Sequence, residues 1–339
     1  MKKTTYRFSN SITDFYFNAS FSQIIQLVDK KHSVIVTDQN IFNAHKNKFK
    51  GWNSIILKAG EKYKIQETAD AIIDQLVKLK ADRGTQLIGI GGGVVTDITG
   101  YVASIYMRGL SFGFVPTTLL GMVDAAIGGK NGIDVGVYKN LVGTIRQPEF
   151  LLYDISFLKT LPDAEWINGF AEVIKHSCIK DAGIFSLLEK HNISNIRRNK
   201  NLLSELIELN AKLKVKVVLG DEFEAGERKL LNFGHTLGHA LEKQYKLSHG
   251  EAISVGMSYD CVISEEISGF RQTEKVVSIL EKYQLPTFAK FDKKKVFNVL
   301  TMDKKRHRQN INYILLEKIG KGIIKPIPLN QLQKIIWGL

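Results

Sequence analysis

The segment Leu231-Asn232-Phe233-Gly234-His235-Thr236-Leu237-Gly238-His239, followed ten residues on by His249-Gly250-Glu251, gathers three of the chain's eight histidines. His235 and His239 are four apart, so on a helix they leave from one face, and His249 can return to the same pocket from the next loop or helix. Neutral imidazole is the commonest transition-metal ligand. An i, i+4 histidine pair by itself is more often a polar helix face, but a third histidine and the intervening glycines favour a site. No His-Glu-x-x-His occurs, which argues against a zinc protease. A further ligand must come from elsewhere in the chain, and a carboxylate is the expected type.

A second segment with chemical potential is Gly91-Gly92-Gly93, which follows the apolar run Leu87 to Ile90 and precedes a helical pattern. Strand, glycines and helix in that order let backbone N–H groups approach a pyrophosphate, with the helix N-terminus adding a favourable dipole. The dinucleotide fingerprint is incomplete, because Thr96 stands where a third small residue belongs. On this loop alone, a tight turn without a ligand is as good a reading as a cofactor site.

These residues need elements to hold them. Ser33 to Thr37, Ser54 to Leu57, Leu87 to Ile90 and Phe112 to Val115 read as buried strands, separated by helices such as the one marked by Ala69, Ile72, Ile73 and Leu76 and the one over Val94 to Met107. That alternation is a βα pattern, and it predicts a Rossmann-like α/β N-terminal domain. Beyond Leu161-Pro162 the periodicity becomes long and helical, over Trp166 to Cys178, Leu202 to Val218, Thr236 to Gln244 and Glu251 to Glu266. The second part therefore reads as a mainly α-helical domain, with a last strand and helix between Asn312 and Leu339. At 339 residues two domains are expected, residues 1–158 and 159–339.

Composition narrows the class. A formal net charge of +13 favours anionic partners, either nucleic acid or small phosphorylated acids. The densest basic runs, Arg197-Arg198-Asn199-Lys200 and Asp303-Lys304-Lys305-Arg306-His307-Arg308, carry no interleaved aromatics, which argues against nucleic acid. Cys178 and Cys261 are too few and too far apart for a disulfide framework or a metal knuckle. With no apolar run of signal-peptide or membrane-spanning length, a cytoplasmic protein without a membrane partner is expected.

Taken in order, Gly91-Gly92-Gly93-Val94-Val95-Thr96-Asp97, Arg108-Gly109, Pro116-Thr117-Thr118, Asp124, Gly128-Gly129-Lys130 and Lys139-Asn140 resemble the 3-dehydroquinate synthase family of sugar-phosphate cyclases. The match continues through Thr160-Leu161-Pro162, Ala171-Glu172-Val173-Ile174-Lys175, Arg228, Asn232 to His239, His249-Gly250-Glu251 and Asp303-Lys304-Lys305. The resemblance implies a carbon–oxygen lyase of the shikimate pathway, in aromatic amino-acid biosynthesis, that converts 3-deoxy-D-arabino-heptulosonate 7-phosphate to 3-dehydroquinate and phosphate. Transient oxidation by NAD, phosphate elimination, re-reduction and intramolecular aldol closure make up the implied reaction.

The resemblance further implies NAD and a divalent metal, zinc or cobalt, as cofactors. Glu172, His235 and His249 would be the metal ligands. NAD would lie against Asp38, Asn40, Glu61, Lys64, Gly92, Gly93, Asp97, Thr117, Thr118, Lys130, Lys139 and Thr160. The substrate would meet Lys130, Asn140, Lys175, Lys214, Arg228, Asn232, His239 and Lys304, with Asp124 adjacent and Arg108 supplied by the neighbouring subunit of a homodimer. Departures from the family pattern are Thr96 and Tyr138 for glycines, Ala164 for an arginine, Asn131 for a threonine and Asp134 for an asparagine, and the stretch between His239 and His249 is short. Another sugar-phosphate cyclase and a metal-dependent polyol dehydrogenase are the rival activities.

Overall fold

A computed structural model describes residues 1–136, 138–301, 306–307 and 310–338 of the chain. It divides into two compact units, Met1–Trp166 with Lys214–Glu222, and Ile167–Leu213 with Phe223–Leu339.

The first unit carries β1 (Lys2–Arg7), β2 (Ile12–Phe17), β3 (Ser33–Asp38), β4 (Asn53–Leu57), β5 (Gln86–Gly91), β6 (Ser111–Pro116), a separate hairpin of β7 (Lys130–Val135) and β8 (Tyr138–Ile145), and β9 (Phe150–Leu152). Seven of these form one sheet in the order β1-β2-β9-β6-β5-β3-β4. β1 runs antiparallel to β2, and the other neighbouring pairs are parallel. β3 and β5 are buried along almost their whole length, as parallel strands covered on both faces must be. Ile35, Ile88, Ile90, Val115 and Phe157 share one apolar cluster.

Helices α1 (Gln39–Ala44), α2 (Gln66–Lys78) and α3 (Gly93–Ile105) follow β3, β4 and β5. Chain order leads from β3 outward to β4 and then back across to β5, β6 and β9, so the direction reverses between β3 and β5. In open α/β sheets the carboxyl ends of strands at such a switch point are where ligands bind. The helix expected over Val94 to Met107 ends earlier, at Ile105. Met107 and Arg108 take left-handed backbone, φ 49° and 66°, because the chain doubles back there and Leu110 N–H returns to the Ala103 carbonyl at 2.7 Å.

The second unit contains most of α4 (Asp163–Lys180) and α7 (Lys200–Gly220), and between them α5 (Ala182–Lys190) and α6 (Ile193–Arg198). It continues through α8 (His235–Gln244), α9 (His249–Ser268), α10 (Thr273–Lys282) and α11 (Lys293–Thr301). The tail is richer than the single strand and helix expected. It forms an antiparallel sheet of β10 (Arg306–His307), β11 (Asn310–Lys318) and β12 (Lys321–Pro328), closed by α12 (Leu329–Gly338). Leu237, Leu241, Val255, Ile263, Tyr313 and Ile335 belong to the core of this unit.

α8 and α9 approach closely, and glycine makes that possible. A Cβ at Gly256 of α9 would stand 1.9 Å from the Gly234 carbonyl oxygen, and one at Gly238 would stand 2.9 Å from the Ala252 carbonyl oxygen. Among the described residues, no helix is long and apolar enough to cross a membrane.

Candidate active site

The close pairing of α8 and α9 sets His235 and His249, each the first residue of its helix, beside Glu172 of α4. Glu172 Oε1 lies 3.5 Å from His235 Nε2 and 3.2 Å from His249 Nε2. One donor atom from each residue falls within 4.8 Å of the others. The Phe233 carbonyl lies 3.0 Å from His235 Nδ1, which assigns the proton to Nδ1 and turns the Nε2 lone pair toward Glu172. One carboxylate and two imidazoles are a donor set that suits zinc or cobalt and leaves coordination positions for oxygen ligands.

Glu172 is fully buried and forms an ion pair with Lys175, one turn along α4 and 1% exposed. Burial works against a charge on His249, but the carboxylates of Glu172 and Glu242 outweigh it and push the imidazole up to about 9. Glu242 Oε2 lies 3.8 Å from His249 Nδ1, and His239, Glu242 and His249 form a second group with donor atoms within 4.8 Å of one another. Sequence reasoning missed Glu242. Its spacing, seven residues after His235 and three after His239, places it on their face of the helix and could have revealed it.

Other expected residues of this unit lie on α8 or just before it. His239 packs its ring 5.1 Å from that of His235. Arg228 is 2% exposed, and Asn232 Nδ2 donates to Glu224 Oε1 at 2.8 Å, a carboxylate that the sequence did not single out. Lys304 lies outside the described residues.

In the first unit, Asp38, Gly92, Gly93, Thr117 and Thr118 of the expected cofactor residues lie at the carboxyl ends of β3, β5 and β6. Asp38 accepts from the Asn40 and Ile41 amides at 2.8 and 3.0 Å, capping α1, and Asn40 is exposed. Gly92 caps α3 and Gly93 begins it. Thr117 N–H donates to the Gly91 carbonyl at 3.0 Å, and Thr118 Oγ1 accepts from the Gly121 amide at 2.9 Å. Thr117 Oγ1 is buried with no hydrogen-bond partner among the described residues. A buried hydroxyl of this kind beside a glycine turn at a helix N-terminus fits a pyrophosphate-bearing dinucleotide.

Lys64 is almost buried, is ion-paired with Asp97, and donates to Asn140 Oδ1 at 2.5 Å. Burial opposes its charge, yet Asp97 and Glu61 hold its pKa above the ordinary lysine value. Lys139 Nζ stands 3.6 Å from Glu61 Oε1. Lys214 Nζ lies 2.8 Å from Asp124 Oδ1 and 2.5 Å from the Asp124 carbonyl. Thr160 Oγ1 lies 2.8 Å from His45 Nε2, Lys130 opens β7 in an exposed position, and Arg108 is exposed on its left-handed turn.

Several departures from the family pattern have local explanations. Thr96 Oγ1 donates back to the Gly93 carbonyl at 3.0 Å, and Asn131 Nδ2 donates to the Gly129 and Arg146 carbonyls at 2.8 and 2.9 Å. Asp134 Oδ1 accepts from the Asn140 amide at 2.7 Å, which fixes the left-handed backbone of Asn140, φ 50°. Tyr138 is exposed at the start of β8. Nothing in the structure accounts for Ala164.

A family model described as 3-dehydroquinate synthase N-terminal matches residues 54–168, and one described as 3-dehydroquinate synthase C-terminal matches residues 169–306. The 3-dehydroquinate synthase of Pyrococcus abyssi is 41% identical over 285 residues, covering 83% of this chain and 84% of its own. That of Nitrosospira multiformis is 38% identical over 315 residues, covering 89% and 86%. Among solved structures, 2-epi-5-epi-valiolone synthase from Streptomyces hygroscopicus subsp. jinggangensis, with NAD+ and Zn2+ bound, has a TM-score of 0.87 at 23% identity and covers 100% of this chain and 99% of its own. 2-Deoxy-scyllo-inosose synthase complexed with carbaglucose-6-phosphate, NAD+ and Co2+ has a TM-score of 0.84 at 24% identity, covering 99% of each chain. Glycerol dehydrogenase from Schizosaccharomyces pombe is more distant, with a TM-score of 0.65 at 16% identity over 99% of this chain and 91% of its own.

Proposed function

The chain belongs to the 3-dehydroquinate synthase family, and from that premise we propose that it converts 3-deoxy-D-arabino-heptulosonate 7-phosphate to 3-dehydroquinate and phosphate in aromatic amino-acid biosynthesis. The observation that carries the reading is the convergence of Glu172, His235 and His249 in a chain with this family membership.

In this reading, Glu172, His235 and His249 hold zinc or cobalt, and the β3, β5 and β6 ends with Lys64, Asp97, Lys139, Lys130 and Thr160 hold NAD. When bound, the metal supplies Lewis acidity to substrate oxygens and NAD supplies a reversible hydride acceptor. The chain itself binds and orients. From the second unit, Lys175, Arg228, Asn232, His239 and Lys304 offer cations and hydrogen-bonding groups to a doubly anionic substrate. From the first, Lys130, Asn140 and Lys214 do the same, and Asp124 holds the Lys214 ammonium in place. Charge-assisted contacts of this kind orient carboxylate and phosphate groups. Arg108 of a neighbouring copy completes the phosphate contacts, so the working form is a homodimer, and the proposed location is the cytoplasm.

Incubating the purified chain with the heptulosonate phosphate, NAD and zinc should release equimolar phosphate and 3-dehydroquinate, and His235→Ala should lose bound zinc and activity together. Absence of 3-dehydroquinate would overturn the activity. Unchanged zinc content in His235→Ala would overturn the ligand assignment.

A further inference from the structure

The peptide unit joining Phe233 to Gly234 is hydrogen-bonded at both ends. Its carbonyl accepts from His235 Nδ1 at 3.0 Å, and its N–H donates to Asp260 Oδ2 at 2.7 Å, both bonds being buried. The other oxygen of Asp260 accepts from the Tyr313 hydroxyl of β11 at 2.7 Å. Asp260 is 1% exposed and lies on α9 with Val255, Met257 and Ile263, all fully buried. A carboxylate is costly in such surroundings unless hydrogen bonds satisfy it, and both oxygens accept here.

The backbone geometry allows little else. Gly234 has φ 77°, and a Cβ there would stand 2.7 Å from the Ile253 carbonyl oxygen and 2.6 Å from Met257 Cγ. Gly256 lets α8 sit against α9, and Asp260 is one turn further along the same helix face. Thus α9 presents His249 from its first residue and, three turns later, anchors the peptide that orients His235.

We propose that Asp260 is a positioning residue for His235, acting through the Phe233–Gly234 peptide as a carboxylate–peptide–imidazole relay; this rests on the reading that His235 is a metal ligand. An anionic acceptor on the amide N–H polarises the peptide and strengthens its carbonyl as an acceptor, because hydrogen bonds in series reinforce one another. The carbonyl in turn fixes the Nδ1–H tautomer and ring angle and makes Nε2 a better donor. Partners of this kind are worth about 10–100-fold in metal affinity.

The test uses the full chain, stripped of metal and titrated with zinc against a chromogenic chelator, in wild type, Asp260→Asn, Tyr313→Phe and His235→Ala. Asp260→Asn keeps the side-chain shape but removes the charge, and should bind one zinc per chain roughly 10–100-fold more weakly, with shifted visible bands when cobalt replaces zinc. Tyr313→Phe cuts the carboxylate's other hydrogen bond. It should lower thermal stability while changing zinc affinity by less than about threefold, well under that range. Folded Asp260→Asn with wild-type affinity and cobalt spectrum overturns the relay. So does a loss of affinity that tracks loss of stability equally in both variants, which marks a purely structural role. Should Asp260→Asn not fold, 15N NMR of zinc-loaded wild type decides. His235 protonated at Nδ1 supports the relay, and His235 protonated at Nε2 refutes it. Retention of zinc by His235→Ala would refute the ligand reading instead.

Discussion

Replacing Gly256 with alanine inserts one methyl group where α9 meets the start of α8. The new Cβ would stand 1.9 Å from the Gly234 carbonyl oxygen, 2.8 Å from the Gly234 carbonyl carbon and 3.0 Å from the Gly238 amide nitrogen. All three are backbone atoms and cannot rotate aside. Opening the shortest contact to 3.0 Å, below which real Cβ atoms are essentially never found, moves α8 by about 1 Å. Alanine gains about 1 kcal/mol over glycine in a helix interior. Overpacking costs about 1–3 kcal/mol and sometimes more, and a rigid backbone contact belongs at the upper end. The net expectation is destabilisation by about 2 kcal/mol. Metal–ligand distances are held within about 0.2 Å, so moving His235 away from His249 by several times that tolerance should weaken zinc binding at least tenfold, as by roughly 1.4 kcal/mol. Thermal unfolding and chelator competition measure the two effects. An alanine variant as stable as wild type, with unchanged zinc affinity, would refute the close approach and the positioning argument built on it.

Three further outcomes are expected. Burial works against the charge of Asp154, yet Ser156, the Phe21 amide and Lys48 hold its carboxyl below the usual range. A depressed carboxyl stabilises the fold above the unfolded-state pKa, near 4, and that contribution is lost as pH falls through the folded value. The Tm difference between wild type and Asp154→Asn at pH 7 should therefore shrink as pH falls below about 4, and a difference independent of pH would contradict it. Burial pushes the Cys178 thiol up to about 12 and Cys261 well above its ordinary value, so native protein should resist thiol reagents until unfolded; rapid labelling of the native chain would count against the packing. Co-refolding Arg108→Ala with His235→Ala should restore part of the activity, because one hybrid site combines an intact metal centre with an intact arginine, and no recovery in verified heterodimers would place Arg108 in its own subunit's site.

The histidine site was legible because helical spacing makes neighbours of residues four apart, and α8 realises that for His235 and His239. Glu172 could be found only through family resemblance, since nothing local links it to histidines 63 and 77 residues further on. Short apolar runs rich in β-branched or aromatic residues revealed β3, β4, β5 and β6, although β4 is only partly buried rather than buried throughout as expected. The mostly polar, exposed β1 and the largely exposed β8 gave no comparable signal, because pairing rather than burial makes them strands. The Lys64–Asp97 pair spans 33 residues and depends on a fold that sets β4 and β5 on either side of β3. Asp260 carried a sign that was overlooked, an acid within the apolar run of α9. Gly256 carried none, because a helix glycine needed for backbone contact looks like any other.

The central claim is that this chain closes a carbocycle with NAD as a recycled catalyst. Its most direct test supplies the zinc-loaded protein with 3-deoxy-D-arabino-heptulosonate 7-phosphate and NAD far below the substrate concentration, then follows phosphate, 3-dehydroquinate and NADH together. Many molecules each of phosphate and 3-dehydroquinate per NAD, with no lasting NADH, is the predicted result. One NADH accumulated per product, with turnover stopping when NAD is exhausted, would show a dehydrogenase and contradict the account.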